Sequence, residues 1–262
     1  MSPIERLPQP RLSARIARIA LAVVFWLLVW QGLAMIVGSR LLLASPLDAA
    51  AALAALACTP GFWLTVVAST GRILIGFLIA QVMGAVLALL AGRLALIDWL
   101  ITPAIRVVQA VPVVSFVLLV LLWADQTALA SIIVACMVTP LVYINWQTAL
   151  RHRQLGLFEM AQLGGVGPWR RWWAIDLPQL LPGIEASAVV GVGLAWKSGV
   201  SAEVIGLTSG SIGERLYQAK VLLATGDLFA WTAVVVLMAF LFERLLVWAL
   251  GRLRAGLGAY LR

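Results

Sequence analysis

Two charged residues in a long apolar segment, Lys197 and Glu203, are the first candidates for chemistry in this sequence. An ammonium group inside a membrane span costs about 3 kcal/mol on insertion scales, so it faces a cavity, a partner or the interface. In a helix, Trp196, Gly199 and Glu203 share one face, and Lys197 and Ser201 share the adjacent one. Lys197 either lines the outer mouth of a pathway for an anionic solute or extends its ammonium to the outer membrane surface. Trp196, Lys197 and Glu203 are therefore the pathway candidates of this segment.

A second group of candidates surrounds Pro112. Proline removes a backbone donor and clashes with the preceding helical turn, so Pro112 predicts a kink. Gln109 and Ser115 flank this kink and can present polar groups to a pathway, although a purely structural kink is an equal alternative. Arg106, two turns from the cytoplasmic end of the same helix, is expected to extend inward.

The sequence contains no arrangement of residues that would support catalysis or hold a cofactor. The apolar segments contain no paired carboxylates, no histidine cluster and no nucleophile with a base. His152 has no companions for a metal site, and Cys58 and Cys136 imply no disulfide. The run from Gly191 to Ser198 resembles a phosphate-binding loop, but Trp196 stands where that loop requires glycine before the lysine. We expect no cofactor on this chain, so that any ATP and Mg²⁺ are used by another polypeptide.

The composition places the chain in a membrane. Hydrophobic residues make up 63% of the sequence, charged residues make up 11%, and the mean hydropathy is +1.03. A soluble fold cannot cover so much apolar surface with so few charges. The net charge of +8 does not indicate nucleic-acid binding, because the basic residues cluster in the loops predicted to be cytoplasmic.

Apolar runs of about 20 residues predict membrane-spanning helices, since backbone polar groups must be paired in hydrocarbon. The sequence predicts an all-α polytopic protein with six spans, at 16–37, 68–91, 100–122, 128–149, 181–204 and 228–249. The first run is too long for a signal peptide and lacks a clear cleavage site, so we expect an uncleaved span. The predicted organisation is a segment 1–15, a first helix and outer loop 16–59, a transmembrane domain 60–250 containing a polar loop 150–179, and a tail 251–262.

The distribution of arginine and lysine predicts the orientation, because cytoplasmic loops carry the excess of basic residues. With the N-terminus inside, three basic residues lie in outer loops, namely Arg40, Arg215 and Lys220. Thirteen lie in cytoplasmic segments, namely Arg6, Arg11, Arg15, Arg18, Arg93, Arg151, Arg153, Arg170, Arg171, Arg244, Arg252, Arg254 and Arg262. Both termini and the loop 150–179 are therefore predicted to be cytoplasmic.

Two predicted spans carry a small residue at every fourth position, which allows helix backbones to approach closely. The stripes consist of Gly76, Ala80, Gly84, Ala88 and Gly92 in the second span and of Gly183, Ser187, Gly191, Ala195 and Gly199 in the fifth. Packing within one subunit is the first interpretation. A surface that slides or lines a pathway is the second.

The loop 150–179 is too polar for a span and too long for a simple turn. We predict a short helix around residues 157–163, a bend at Gly164 and Gly165, a second short helix over 169–175 and a stop at Pro178. Its tryptophans and the Arg170–Arg171 pair form an aromatic and basic surface. This surface suits either a soluble partner or the headgroup layer of the membrane.

The spacing of residues in this loop favours a protein partner. Glu159-Met160-Ala161 is followed by Gly165 and, ten residues later, by Ile175-Asp176-Leu177-Pro178. This pattern resembles the cytoplasmic EAA loop of ABC importer permeases, with Met160 at a position that is usually alanine. The resemblance implies that an ATPase subunit docks on a coupling helix here. The residues assigned to docking are Glu159, Met160, Ala161, Gly165, Pro168, Trp169, Arg170, Ile175, Leu177 and Pro178.

Similarity to these permeases extends over about residues 60–250 and is closest to the nitrate, sulfonate and taurine type. It is carried by Thr70 to Phe77, Val111 to Trp123 and Gly193 to Glu203. The resemblance implies a type I importer fold in a bacterial inner membrane and a permease that forms a homodimer. It also implies two ATPase subunits inside and a substrate-binding protein outside.

These observations predict the transmembrane subunit of an ATP-driven importer, which is not itself an enzyme. It would move a small polar solute inward by alternating access, and the resemblance implies an anion such as a sulfonate, taurine or nitrate. Permeases of the same kind also handle heterocyclic vitamin precursors. The alternative is a stand-alone secondary transporter or channel, which typically shows inverted repeats and carboxylates at the bilayer midplane. This sequence has no clear internal repeat, and its carboxylates lie mostly at span ends or in loops.

Overall fold

Helices joined by short turns make up the described part of the chain. The computed structural model describes residues 12–39 and 41–260, and these two ranges contain no strand. The all-α prediction is confirmed. Four of the basic residues that predict the orientation lie outside the described residues, namely Arg6, Arg11, Arg40 and Arg262, as does most of the predicted segment 1–15.

The described ranges contain eleven α-helices and one π-helical turn. In chain order they are α1 (Leu12–Val37), α2 (Pro46–Ala57), α3 (Pro60–Arg93), α4 (Ala95–Ala110), α5 (Val113–Val120), α6 (Gln126–Arg151), α7 (Leu155–Leu163), α8 (Pro168–Arg171), the π turn (Trp172–Asp176), α9 (Leu177–Gly206), α10 (Ile212–Val221) and α11 (Thr225–Tyr260).

Five helical stretches in the described ranges are long and apolar enough to cross a membrane. They are Ala17–Val37 of α1, α3, α6, the stretch Pro168–Gly206 that contains α9, and Thr225–Gly256 of α11. Each contains one of the predicted spans almost completely. The helices extend beyond the apolar cores that the sequence shows, and α11 continues through most of the predicted tail 251–262.

The predicted span 100–122 differs from the structure, because it is two helices and not one kinked helix. α4 and α5 meet at an angle of 103° and qualify as a sixth span only as a pair. Val111 has ψ 128° and Pro112 has ψ 135°, so both residues leave the helical region. A proline disfavours the helical conformation of the residue before it. Two consecutive extended residues break the helix where Pro112 alone would kink it.

Two short helices, α2 and α10, lie in segments that the sequence assigned to outer loops. Ser45 caps α2: its hydroxyl accepts from the Asp48 amide at 3.1 Å, and the Asp48 carboxylate accepts from the Ser45 amide at 3.2 Å. Ser211 caps α10 by accepting from the Glu214 amide at 2.9 Å. These caps satisfy amides that a helix start leaves unpaired.

Helices α3, α6 and α9 form the centre of the fold, with α11 packed on α9. Their buried cluster includes Ile73, Phe77, Val138, Trp196 and Trp231. The predicted small-residue stripes lie at these contacts. A Cβ on Gly84 would lie 2.5 Å from the Val142 Cβ, and one on Gly199 would lie 2.6 Å from the Ile73 Cγ1. Within this subunit both stripes therefore serve close packing.

Replacing Gly76 with alanine is expected to destabilise the fold by about 1–3 kcal/mol, the range for overpacking a tight contact. The added Cβ would lie 2.4 Å from the carbonyl oxygen of Ser131, a backbone atom that cannot rotate away. Gly71 on the same helix has no atom within 4 Å of its Cβ position, so Gly71→Ala is the matched control. Thermal unfolding in detergent measures both variants, and equal midpoints would contradict this account of the stripe.

Candidate functional site

The polar loop begins with α7, which ends in a sharp bend at Gly165. The Gly164 amide donates to the Met160 carbonyl at 2.9 Å, and the Val166 amide donates to the Ala161 carbonyl at 3.0 Å. Gly165 has φ +68°, the left-handed conformation that glycine adopts without strain. This left-handed residue and the bond across five residues form a Schellman motif, which fixes the direction in which the chain leaves α7.

The second half of the loop corrects one prediction, because no helix stops at Pro178. The chain is helical from Pro168 through the π turn and continues as α9 to Gly206. In an α-helix the Pro178 ring would collide with the carbonyl of Ala174. The π turn directly before it adds a residue to the helical turn, as the Leu177 amide donates to Trp172, and this relieves the collision. The loop is thus rigidly continuous with the span that follows.

The Gln179 side chain ties the beginning of the loop to its end. Its Oε1 accepts from the Gln154 amide at 2.6 Å, and its Nε2 donates to the Ile175 carbonyl at 3.2 Å. Gln154 directly precedes α7, whereas Gln179 lies in the first turn of α9. The start of α7 is therefore joined to the start of α9 by a hydrogen bond as well as by the chain.

The outer surface of the loop is apolar and exposed. Met160 is 70% exposed, Leu163 is 89% exposed and Trp169 is 74% exposed. The Trp169 ring packs edge to face on Trp173, with ring centroids 5.8 Å apart. Exposed apolar side chains grouped on a polar segment are typical of a protein-interaction surface. We call Met160, Leu163 and Trp169 the docking surface.

The structure divides the predicted docking residues into two sets. Glu159, Met160, Gly165, Pro168, Trp169 and Arg170 are exposed, whereas Ile175, Leu177 and Pro178 are half-buried at the base of the loop. Ala161 is 7% exposed and accepts the hydrogen bond that closes the bend, so it supports the loop's shape. Leu163 was not among the predicted residues. Leu163 could have been predicted from the sequence, because it is an apolar residue at the last position of a short helix in a polar segment.

Lys197 lies on a face of α9 that the rest of the described chain leaves open. Its neighbours Trp196 and Ser198 are buried, whereas Lys197 is exposed. Val190 is also exposed, and a Cβ on Gly193 would meet nothing within 4 Å. These residues recur at helical spacing along one side of α9. We call this side, with Lys197 at its centre, the open face.

The predicted pathway residues fall into an exposed and a buried group. Gln109, Pro112 and Ser115 are exposed at the break between α4 and α5, and Lys197 is exposed on α9. Trp196 packs on Phe242 with centroids 5.9 Å apart and is 2% exposed, and Glu203 is fully buried. The face that Trp196, Gly199 and Glu203 were predicted to share is thus the core side of α9. The pathway role of the exposed residues stays a prediction.

Glu203 is the centre of a buried polar network that the sequence interpretation missed. Its carboxylate accepts from the Ser69 hydroxyl at 2.8 Å, from the Arg72 guanidinium at 3.0 Å and from the Gly213 amide at 3.3 Å. Ser69 in turn accepts from the Ile212 amide at 2.9 Å. The network joins α3, α9 and the first turn of α10. Opposite charges in two predicted spans were the available signal for it.

A second polar cluster joins α4 to α6 near the loop. The Asp98 carboxylate accepts from the Thr102 hydroxyl at 2.9 Å, from the Tyr143 hydroxyl at 3.0 Å and from Arg151 at 3.3 Å. A cleft of about 910 Å³ adjoins this cluster, between the ends of α3 and α6 and the π turn. The described residues contain no group of His, Cys, Asp or Glu side chains that could hold a metal ion.

Comparison with known proteins gives a family match over most of the chain. Residues 80–255 match the family model described as binding-protein-dependent transport system inner membrane component. The chain is 27% identical over 183 residues to the taurine transport system permease protein TauC of Escherichia coli (strain K12), covering 69% of this chain and 66% of that protein.

Two further relatives show the range of similar proteins. The putative aliphatic sulfonates transport permease protein SsuC of Escherichia coli (strain K12) is 31% identical over 189 residues, or 70% of each chain. The riboflavin transport system permease protein RibX of Chloroflexus aurantiacus is 29% identical over 161 residues, covering 58% of this chain and 60% of that protein. The matched stretches of TauC and RibX thus span less than two thirds of those proteins.

Proposed function

Because this chain belongs to the family of binding-protein-dependent transport system inner membrane components, we propose that it is the permease subunit of an ATP-driven importer. The predicted resemblance to permeases of the taurine and sulfonate type is confirmed by the similarity to TauC and SsuC. The family is one of transport subunits and not of enzymes. The structural observation that carries the proposal is the docking surface, an exposed apolar patch on a loop built rigidly onto a membrane span.

In the proposed mechanism, two ATPase subunits on the cytoplasmic side bind the docking surfaces of two permease copies. ATP-driven closure of these subunits pushes on α7. The Gln154–Gln179 hydrogen bond and the unbroken helix from Pro168 to Gly206 carry this displacement into α9. Movement of α9 then exposes the pathway alternately to the two sides of the membrane. Both termini of the permease are cytoplasmic in this arrangement.

The open face of α9 supports the placement of the pathway at a homodimer interface. A lysine on the surface of a span is unfavourable against lipid, but it is favourable where a second copy and a water-filled pathway cover it. Gln109 and Ser115, exposed at the α4–α5 break, add polar groups to the same proposal. The substrate-binding protein docks on the outer side of the dimer.

A small anion is the proposed cargo. The names of TauC and SsuC indicate sulfonates for those proteins, and Lys197 supplies a cation suited to a sulfonate or a similar anion. RibX is a relative named for riboflavin, so a heterocyclic solute should be tested in addition to anions. Binding assays on the cognate substrate-binding protein, with taurine, an alkyl sulfonate, nitrate and riboflavin, decide between these classes.

Affinity purification of the chain from its native membrane in mild detergent tests the proposed function. We expect an ATPase subunit to accompany it in reproducible stoichiometry. Repeated purification without any ATPase would contradict the proposal and favour a stand-alone transporter or channel.

Replacing Lys197 with alanine is expected to reduce substrate uptake at least tenfold, because a charge-assisted hydrogen bond to an anion contributes about 1.5–3 kcal/mol. Uptake into vesicles containing the whole transporter measures the effect, and Lys197→Arg should retain much of the activity. Lys220, the other lysine of the sequence, lies exposed on α10 and gives the matched control Lys220→Ala. Unchanged uptake by Lys197→Ala would indicate that its side chain merely reaches the membrane surface.

A further inference from the structure

The cleft beside the Asp98 cluster has an excess of positive charge. Four arginines line it, namely Arg93, Arg151, Arg153 and Arg171, against two carboxylates, Asp98 and Asp176. This leaves a net charge of +2 in a space of about 910 Å³, a volume typical of ligand sites. Because charges that converge on a concave surface reinforce one another's field, the cleft attracts anions. We call it the arginine cleft.

The two carboxylates of the arginine cleft are already engaged. Asp98 accepts hydrogen bonds from Thr102, Tyr143 and Arg151, and Asp176 lies 3.7 Å from Arg171. Arg93 is exposed at the end of α3 and forms no ion pair with any residue that the structure describes. Its guanidinium offers a planar set of donors that matches two oxygens of a phosphate.

Apolar side chains line the cleft together with the arginines. They include Leu89, Leu150 and Leu180. Leu94 and Leu96, where α3 gives way to α4, are exposed as well. A cleft that combines arginines with leucines fits a phospholipid, with its phosphate on the arginines and its chains along the leucines. Trp172, which also lines the cleft, is of the type found at headgroup level.

We propose that the arginine cleft binds a phosphate group, with Arg93 and Arg153 as its ligands. The two sources of this chemistry are the headgroup of an anionic phospholipid and free inorganic phosphate. Basic pockets at the cytoplasmic ends of membrane helices bind such headgroups. The lipid source rests on the cytoplasmic orientation in the proposed function. Because α8 and the π turn form one wall, a bound phosphate would brace the segment that links the docking surface to α9.

The test uses the full chain in nanodiscs and follows its thermal unfolding midpoint. One arm compares discs of phosphatidylcholine alone with discs that also contain phosphatidylglycerol. A second arm adds inorganic phosphate to phosphatidylcholine discs, against chloride at equal ionic strength. The variant Arg93→Gln/Arg153→Gln removes the proposed ligands, with Arg93→Gln alone as the milder variant if the double one fails to fold. Arg252→Gln, an exposed arginine on α11, is the matched control.

We expect phosphatidylglycerol to raise the midpoint of the wild type and of Arg252→Gln, and to leave that of the double variant unchanged. The loss of both ligands should weaken binding by about tenfold for each arginine. A rise with inorganic phosphate alone, lost in the same variant, would identify free phosphate as the ligand. No rise in either arm, or equal rises in variant and wild type, would overturn the proposal. No ATPase takes part, so this failure would leave the proposed import function untouched.

Discussion

Replacement of Glu203 by alanine is expected to destabilise the protein by about 3–5 kcal/mol, the range observed when one partner of a buried ion pair is removed. The Arg72 guanidinium, whose side chain is 17% exposed, would then remain in the core without its carboxylate. The Gly213 amide would lose its acceptor, and the Ser69 hydroxyl would lose the group to which it donates. Since whole domains are stable by only about 5–15 kcal/mol, this loss removes a large part of the stability, and the amount of folded protein should fall.

The amount of folded protein in the membrane and its thermal midpoint in detergent measure this effect. Glu185→Ala is the matched control on the same helix, because Glu185 pairs with the exposed Arg254 at 3.9 Å. Exposed pairs contribute about 0–1 kcal/mol, so this variant should behave like the wild type. The double variant Arg72→Met/Glu203→Leu should be more stable than Glu203→Ala, since it leaves no unpaired charge in the core. A Glu203→Ala protein as stable as Glu185→Ala would show that the network is dispensable.

The Glu203 network could not be predicted from the sequence. Arg72 and Glu203 both lie in predicted spans, yet they are 131 positions apart in the chain. Nothing in a hydropathy pattern says which spans are neighbours. The small-residue stripes of α3 and α9 carried part of this information, because both pack at the centre of the fold against α6. Their spacing predicted close contact, but not the partner.

The positions of the spans were predictable, because lipid imposes length and composition on a helix. The break between α4 and α5 was not predictable from the sequence. A proline is compatible both with a kink and with a complete break of the helix, and packing decides between them. The Gly165 bend was predictable, because only glycine adopts its φ of +68° without strain. The predicted helix end at Pro178 was wrong. Proline is a clear signal for a helix end, whereas the π turn that accommodates Pro178 has no comparable sequence signal.

In the loop 150–179, the sequence pattern located the segment and the structure located its exposed side chains. Ala161 carries the family resemblance but is buried, whereas Leu163 lies outside the pattern and is the more exposed. A motif can include residues that fix the shape of a loop as well as residues that are open to a partner. The structure distinguishes the buried residues from the exposed ones, and Leu163 is therefore the residue to substitute.

Replacing Leu163 with lysine is expected to abolish recovery of the ATPase with the permease. Burying the lysine ammonium in an apolar interface should cost about 2 kcal/mol or more, so affinity should fall roughly thirtyfold. Lysine is the suitable replacement because it forms helices well and is favourable in the last turn of α7. It also adds to the positive charge of the side proposed to be cytoplasmic, so membrane orientation is preserved. Met160→Lys should have a similar effect.

Co-purification of the ATPase and substrate-stimulated ATP hydrolysis measure the loss. Leu253→Lys provides the matched control, since Leu253 is an exposed leucine near the same end of the molecule, on α11 and outside the loop. The Leu163→Lys chain should insert and unfold like the wild type, because its altered side chain contacts little within the subunit. If Leu163→Lys retained the ATPase at wild-type affinity, α7 would not be the docking helix. Its exposed Met160, Leu163 and Trp169 would then be better explained by contact with the lipid headgroup layer.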